Sequence, residues 1–189
     1  MDVCIAHRGV ARYHVDITGR SGHASRPADA INPITIGSKL AIAVDARNRE
    51  LSRLSHPVLP PPTIAVTMFE AAEQPNTIPG RCRLTIDRRT LPNEDKESLR
   101  AELEALRHTL ASGEAAAIDG PVSDVFTTAG HTLPDSRLPE QCRQLLSHMG
   151  IDARLRPLPS RSDQFAFTTA GLHCLLFWPG PIAPPPTPP

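Results

Sequence analysis

Three short stretches combine side chains capable of acid–base or anion-binding chemistry with backbone that can present them. The first is Gly19-Arg20-Ser21-Gly22-His23-Ala24-Ser25-Arg26-Pro27. A histidine directly after a glycine, just past a β-prone run, sits among small side chains rather than on an apolar face. From there an imidazole can donate a proton or a hydrogen bond near neutral pH. Spacing alone favours an ordinary loop histidine. The second stretch, Gln74-Pro75-Asn76-Thr77-Ile78-Pro79-Gly80, leads into a strand that ends Asp87-Arg88-Arg89. Asn76 lies between prolines, so its amide is held by a stiff turn. An arginine at a strand end offers a planar fork for a carboxylate. The plainer alternatives are a turn-forming Asn76 and a solvated Arg88-Arg89 edge. The third stretch is Pro159-Ser160-Arg161-Ser162-Asp163, where Asp163 either orients a neighbouring group or caps the helix that follows.

Other chemistries are excluded. The sequence has no His-Glu-x-x-His, no glycine-rich phosphate loop, no nucleophile elbow and no closely spaced cysteine pair. Cys4, Cys82, Cys142 and Cys174 are too scattered for a metal knuckle, and they read as buried thiols of a reducing, cytoplasmic compartment. The histidines make no ligand cluster at helical or hairpin spacing. Lys plus Arg equals Asp plus Glu at 20 each, so no global positive field favours nucleic acid. Aromatic residues are only 4%, which leaves no base-stacking platform. No apolar run is long enough to span a bilayer, and no membrane role is expected.

The elements that must position these residues follow from periodicity. Residues Ala11–Thr18 alternate as a strand, with Tyr13, Val15 and Ile17 on one face. Residues 29–54 are helical in pattern, capped by Asn32 or Asp29, with Ile31, Ile34, Leu40, Ile42, Val44 and Leu51 apolar. A linker, His56–Pro62, leads to a strand over Thr63–Phe69. Arg81–Arg89 forms another strand, with Cys82, Leu84 and Ile86 on one face and Arg81, Arg83, Thr85 and Asp87 on the other. A helix over Asn93–Leu110 and a weak strand over Ala115–Val125 complete a β-α-β-β-α-β order, that of a ferredoxin-like sandwich. A second part then reads α-β-α-β. Its helix, Leu138–Met149, is stopped by Gly150. A strand over Ile151–Arg156, a short helix over Gln164–Thr169 and a buried strand over His173–Trp178 follow, as a piece of parallel α/β architecture.

In combination these stretches resemble the metal-dependent aminoacylase and carboxypeptidase family, which includes acetylornithine deacetylase, succinyl-diaminopimelate desuccinylase and glutamate carboxypeptidase. The resemblance is carried by His7-Arg8-Gly9, by the Gly19–Pro27 segment with its Gly-His-Ala-Ser, and by Asn76-Thr-Ile-Pro with Arg89 thirteen residues on. Ser162-Asp163 and the Phe177-Trp178-Pro179-Gly180-Pro181 turn continue it. It implies an α+β chain. Residues 9–125 form a ferredoxin-like lid and dimerisation domain, 126–181 an incomplete α/β catalytic-domain segment, and 182–189 a Pro-rich tail. It also implies two zinc or cobalt ions in the complete enzyme and none held by this chain, because the first catalytic segment, with most metal ligands and the general base, would precede residue 1. His23 is then the lid histidine that enters the partner subunit's site and stabilises an oxyanion. Asn76 and Arg89 contact a small N-acyl amino acid, and Asp163 acts from behind the first layer. The tail departs from the family pattern. Pro186 stands where a ligand histidine is expected. Two functions follow: a fragment of an acetylornithine deacetylase-like hydrolase, inactive alone, or a non-catalytic dimerisation module. A dipeptide- or glutamate-releasing carboxypeptidase fragment is a further alternative.

Overall fold

The computed structural model describes residues 2–71, 74–108, 117–132 and 136–178. Its larger layer is a four-stranded antiparallel sheet. Strand β2 (Gly9–Thr18) pairs along its whole length with β6 (Arg81–Thr90), from Gly9 opposite Thr90 to Thr18 opposite Arg81. Strand β4 (Thr63–Glu70) lies outside β6 and β7 (Ala117–Thr127) outside β2, giving the order β4-β6-β2-β7. With helices α1 (Pro33–Leu51) and α2 (Lys96–His108) in their chain positions, this is the ferredoxin-like arrangement.

The expected alternation fixes the buried face. Tyr13, Val15 and Ile17 of β2 and Cys82, Leu84 and Ile86 of β6 form one core with Ile36, Leu40 and Val44 of α1 and Leu99 and Leu103 of α2. Helix α1 is shorter than its sequence pattern. It begins at Pro33 because Asn32 Oδ1 accepts from the Ile34 amide at 3.0 Å, and it ends at Leu51. Ile42, expected to be apolar-facing, is instead 69% exposed. Residues 109–116, which include the end of the expected helix and the start of the weak strand, lie outside the described residues.

A second, smaller sheet differs from expectation. Strand β1 (Asp2–His7), which carries no periodic signal, is its centre and is buried throughout. Along one edge β1 pairs in parallel with β9 (Arg154–Leu158). Along the other it pairs antiparallel with β10 (Leu176–Trp178) and β8 (Gly130–His131), which follow one another. The sheet is therefore mixed, not parallel. Strand β9 starts later than the sequence pattern suggests. The expected buried strand at the end of the chain is a three-residue edge, with Phe177 54% and Trp178 46% exposed. Helix α3 (Arg137–His148) and helix α4 (Gln164–Thr169) fall where the pattern put them, and Gly150 ends the first with a φ of +73°. The His56–Pro62 stretch is more than a linker. Leu59 is buried against Ile5, Ala6 and Leu91, between the two sheets. Residues 179–189, which include the expected Pro-rich tail, lie outside the described residues.

Candidate functional site

The Gly-His-Ala-Ser and Asn-Thr-Ile-Pro stretches are brought together by a two-stranded ladder, β3 (Gly22–His23) with β5 (Thr77–Ile78). Gly22 stands opposite Ile78 and His23 opposite Thr77, and the Ala24 amide donates to the Asn76 carbonyl at 2.9 Å. The ladder continues the larger sheet's end, since the Gly19 amide donates to Gly80 O at 2.9 Å. His23 and Asn76 therefore share one exposed tip. After His23 the chain turns at once: the Arg26 amide donates back to His23 O at 2.9 Å. That turn aims Ser25 at the imidazole. The Ser25 amide reaches His23 Nδ1 at 3.2 Å, and the Ser25 hydroxyl lies 2.8 Å from the same nitrogen.

Arg89 is elsewhere. It sits at the far end of β6, opposite Val10 and Thr63. At ~3.3 Å per residue, the eight steps from Arg81 to Arg89 span roughly 26 Å. Arg89 Nε donates to Asp87 Oδ1 at 2.7 Å, and Asp87 also receives Arg12 at 3.3 Å. Arg8 stands by this cluster, and burial first, then the Arg89 charge, lowers its pKa. Arg8 is held by a 2.8 Å bond to Pro61 O. Three guanidinium groups around one carboxylate leave an excess of positive charge at this end, which suits an anion.

The sheet's alternation separates the two neighbouring arginines. Arg88 continues the Cys82-Leu84-Ile86 face and is 1% exposed, while Arg89 faces the other way. Arg88 is paired with Glu94 and, at 3.0 Å, with Glu102, which also receives Arg47 of α1 at 2.6 Å. Its remaining donor meets Arg89 O at 2.6 Å. Arg88 thus ties β6 to both helices and holds the backbone beneath Arg89.

Asp163 occupies the N-cap position of α4, but its side chain makes no capping bond. Ser162 Oγ instead accepts from the Gln164 amide at 3.3 Å. Asp163 is exposed, and its charge acts on His7. His7 itself is fully buried, its Nδ1 2.9 Å from Arg8 O, and its pKa is lowered chiefly by burial. The structure gathers His23 with Asn76, and leaves Arg89 and Asp163 apart from them. Sequence reasoning gave no role to Ser25, to Arg8 or to Asp87. The only signal for them was their place inside the same short stretches.

The resemblance named above implies two metal ions. Among the described residues no group of three or more His, Cys, Asp or Glu side chains could hold one. The described residues do not fit that centre, and no step below passes through it.

Comparison with known proteins agrees with the fold. Residues 5–114 match the peptidase dimerisation domain family. The acetylornithine deacetylase of Vibrio cholerae is 34% identical over 97 residues, which cover 50% of this chain and 26% of that enzyme. The acetylornithine deacetylase of Aliivibrio salmonicida is 31% identical over 96 residues, 49% of this chain and 25% of that enzyme. The matched stretch therefore spans about a quarter of these relatives' length. In three dimensions, aminopeptidase PepT from Bacillus cereus superposes with a TM-score of 0.73 at 20% identity, over 92% of this chain and 44% of that one. A tripeptidase from Staphylococcus aureus gives 0.68 at 15% identity, over 92% and 44%. At these identities the two structures speak for the fold alone.

Proposed function

Because the chain belongs to the peptidase dimerisation domain family, we propose that it is the dimerising lid, with part of the catalytic domain, of a metal-dependent hydrolase. The proposed substrate is an N-acyl amino acid of the acetylornithine type, the activity named for the matched relatives. The observation that supports this reading is the placing of His23 and Asn76 at one tip of the sheet and Arg89 at its other end. An N-acyl amino acid is far shorter than the roughly 26 Å that β6 alone spans from Arg81, near the tip, to Arg89. A site that uses all three residues on one substrate must draw on two chains.

In that assembly Arg89 clamps the substrate's carboxylate with its planar fork. Its bond to Asp87 holds the guanidinium in place, and Arg8 adds positive charge. His23 of the other copy donates a hydrogen bond to the acyl oxygen as negative charge builds on it. Asn76, beside it, offers an amide to the same end of the substrate.

Light scattering on the chain at tens of micromolar gives the mass of a dimer under this reading, and a monomer overturns it. The chain by itself does not hydrolyse N-acetylornithine with zinc or cobalt added, and turnover there would remove the need for a further catalytic segment. In an enzyme assembled with that segment, His23→Ala lowers turnover by about 10²–10³-fold, the typical loss for one oxyanion donor. Metal content stays unchanged; a parallel loss of metal would make His23 a ligand or a structural residue instead.

A further inference from the structure

We propose that Ser25 is a positioning residue that fixes which nitrogen of His23 carries the proton, and so makes His23 a hydrogen-bond donor. This rests on the reading of His23 given above. Its physical basis is separate. A backbone N–H can only donate, and the Ser25 amide is directed at His23 Nδ1 at 3.2 Å. That nitrogen must therefore present a lone pair. The Ser25 hydroxyl, 2.8 Å away, rotates freely and adds a second donor to the same lone pair. With Nδ1 twice occupied as an acceptor, the neutral ring carries its proton on Nε2, the nitrogen on the outer side of an exposed side chain.

The surrounding backbone keeps this geometry. The Arg26 amide closes the turn onto His23 O, and the Ala24 amide fastens it to Asn76 O, both at 2.9 Å. The Ser25 backbone lies between these two ties, which keep its amide beside the ring. The consequence for function is directional. The outward Nε2–H can stabilise an oxygen that gains negative charge, whereas the opposite tautomer would present a lone pair and repel it. Of the two donors on Nδ1, the hydroxyl is the closer and the only one that a substitution can remove while the turn remains.

Long-range 1H–15N correlation spectra of the 15N-labelled chain, at a pH where the ring is neutral, read the tautomer without any substrate. The wild type shows a pyrrole-type Nε2 and a pyridine-type Nδ1, well separated in shift. In Ser25→Ala the separation shrinks as the Nδ1–H form gains population, and Ser25→Thr restores it. A pyrrole-type Nδ1 in the wild type overturns the proposal, and so does a Ser25→Ala spectrum identical to the wild type. Amide exchange at Gly22 and Ile78 reports whether the β3–β5 ladder persists. If Ser25→Ala loses it, the Ser25→Thr variant and the wild-type spectrum still decide. Should the tautomer be as stated while the dimer or the deacylation fails, only the functional reading falls.

Discussion

Asp16 shows what one residue on the open face of the sheet contributes. Its carboxylate takes both Nε and an outer nitrogen of Arg83, at 2.9 and 2.8 Å, and Arg81 at 3.1 Å. Hydrogen bonding from Arg83, the largest cause, holds its pKa down at about 2, against an ordinary 3.8. The folded state therefore binds this proton less readily than the unfolded chain. The resulting stability is complete above pH 3.8 and is lost as pH falls toward about 2. Both arginines are well exposed, so water and salt screen the pair and the effect is modest. Thermal melts between pH 5 and 2 should fall less steeply for Asp16→Asn than for the wild type. Parallel acid limbs would show that the triad adds nothing. High salt should shrink the difference. Arg88 is the opposite case, a buried charge paired with Glu94 just before α2 and Glu102 within it. In the sequence it stands beside Arg89 at the same strand end, with a solvated edge as the plainer reading of both. Strand parity, which sends neighbours to opposite faces, assigns Arg88 to the core and leaves Arg89 outside it.

At the scale of elements, what the sequence revealed depended on whether a segment alternates. Strands β2 and β6 bury chiefly one face, and Tyr13, Val15, Ile17, Cys82, Leu84 and Ile86 were readable from their period of two. Strand β1 is buried on both faces, so Val3, Cys4, Ile5 and Ala6 form an unbroken apolar run too short to identify. The β3–β5 ladder is two residues long on each side and has no period to detect. Yet it is what joins His23 to Asn76, so the members of the candidate site were legible one by one while their meeting was not. The junction at Gly9 was hidden for a similar reason. A Cβ added there would lie 2.2 Å from Thr90 Oγ1, 2.4 Å from Thr127 O and 2.7 Å from the Ala129 amide. Two of those atoms are backbone and cannot turn aside. Gly9→Ala should therefore cost about 1–3 kcal/mol as overpacking. The lowered melting temperature should be plain beside Gly80→Ala, where the nearest atom, Ser21 Cβ, is 3.7 Å from the added group. Equal melting temperatures would show that the junction yields.

For the whole molecule, the question is which edge of the larger sheet a second copy would extend. Strand β7 is poorly suited. It contains Pro121, which has no N–H to give, and carries Asp119 and Asp124. Its register against β2 shifts twice. Strand β4 has no proline, and its first charge is Glu70 at the very end. Along it Met68 is 51% and Phe69 40% exposed, and α1, which packs beside this strand, leaves Ile42 69% exposed. An edge with open backbone groups and uncovered apolar side chains is a template for another strand. Joined antiparallel there, two lids would make one continuous sheet with the His23 tip of one chain at the same end as Arg89 of the other. Met68→Lys puts a charge on that edge and should shift the chain to monomer in sedimentation at tens of micromolar, with its circular dichroism unchanged. Val122→Lys, at a site on β7 that is 64% exposed, should leave the dimer intact. If the β7 variant dissociates and the β4 variant does not, the sheet is extended from the other side. The distance between His23 and Arg89 within one chain would still require two copies for a site that holds both.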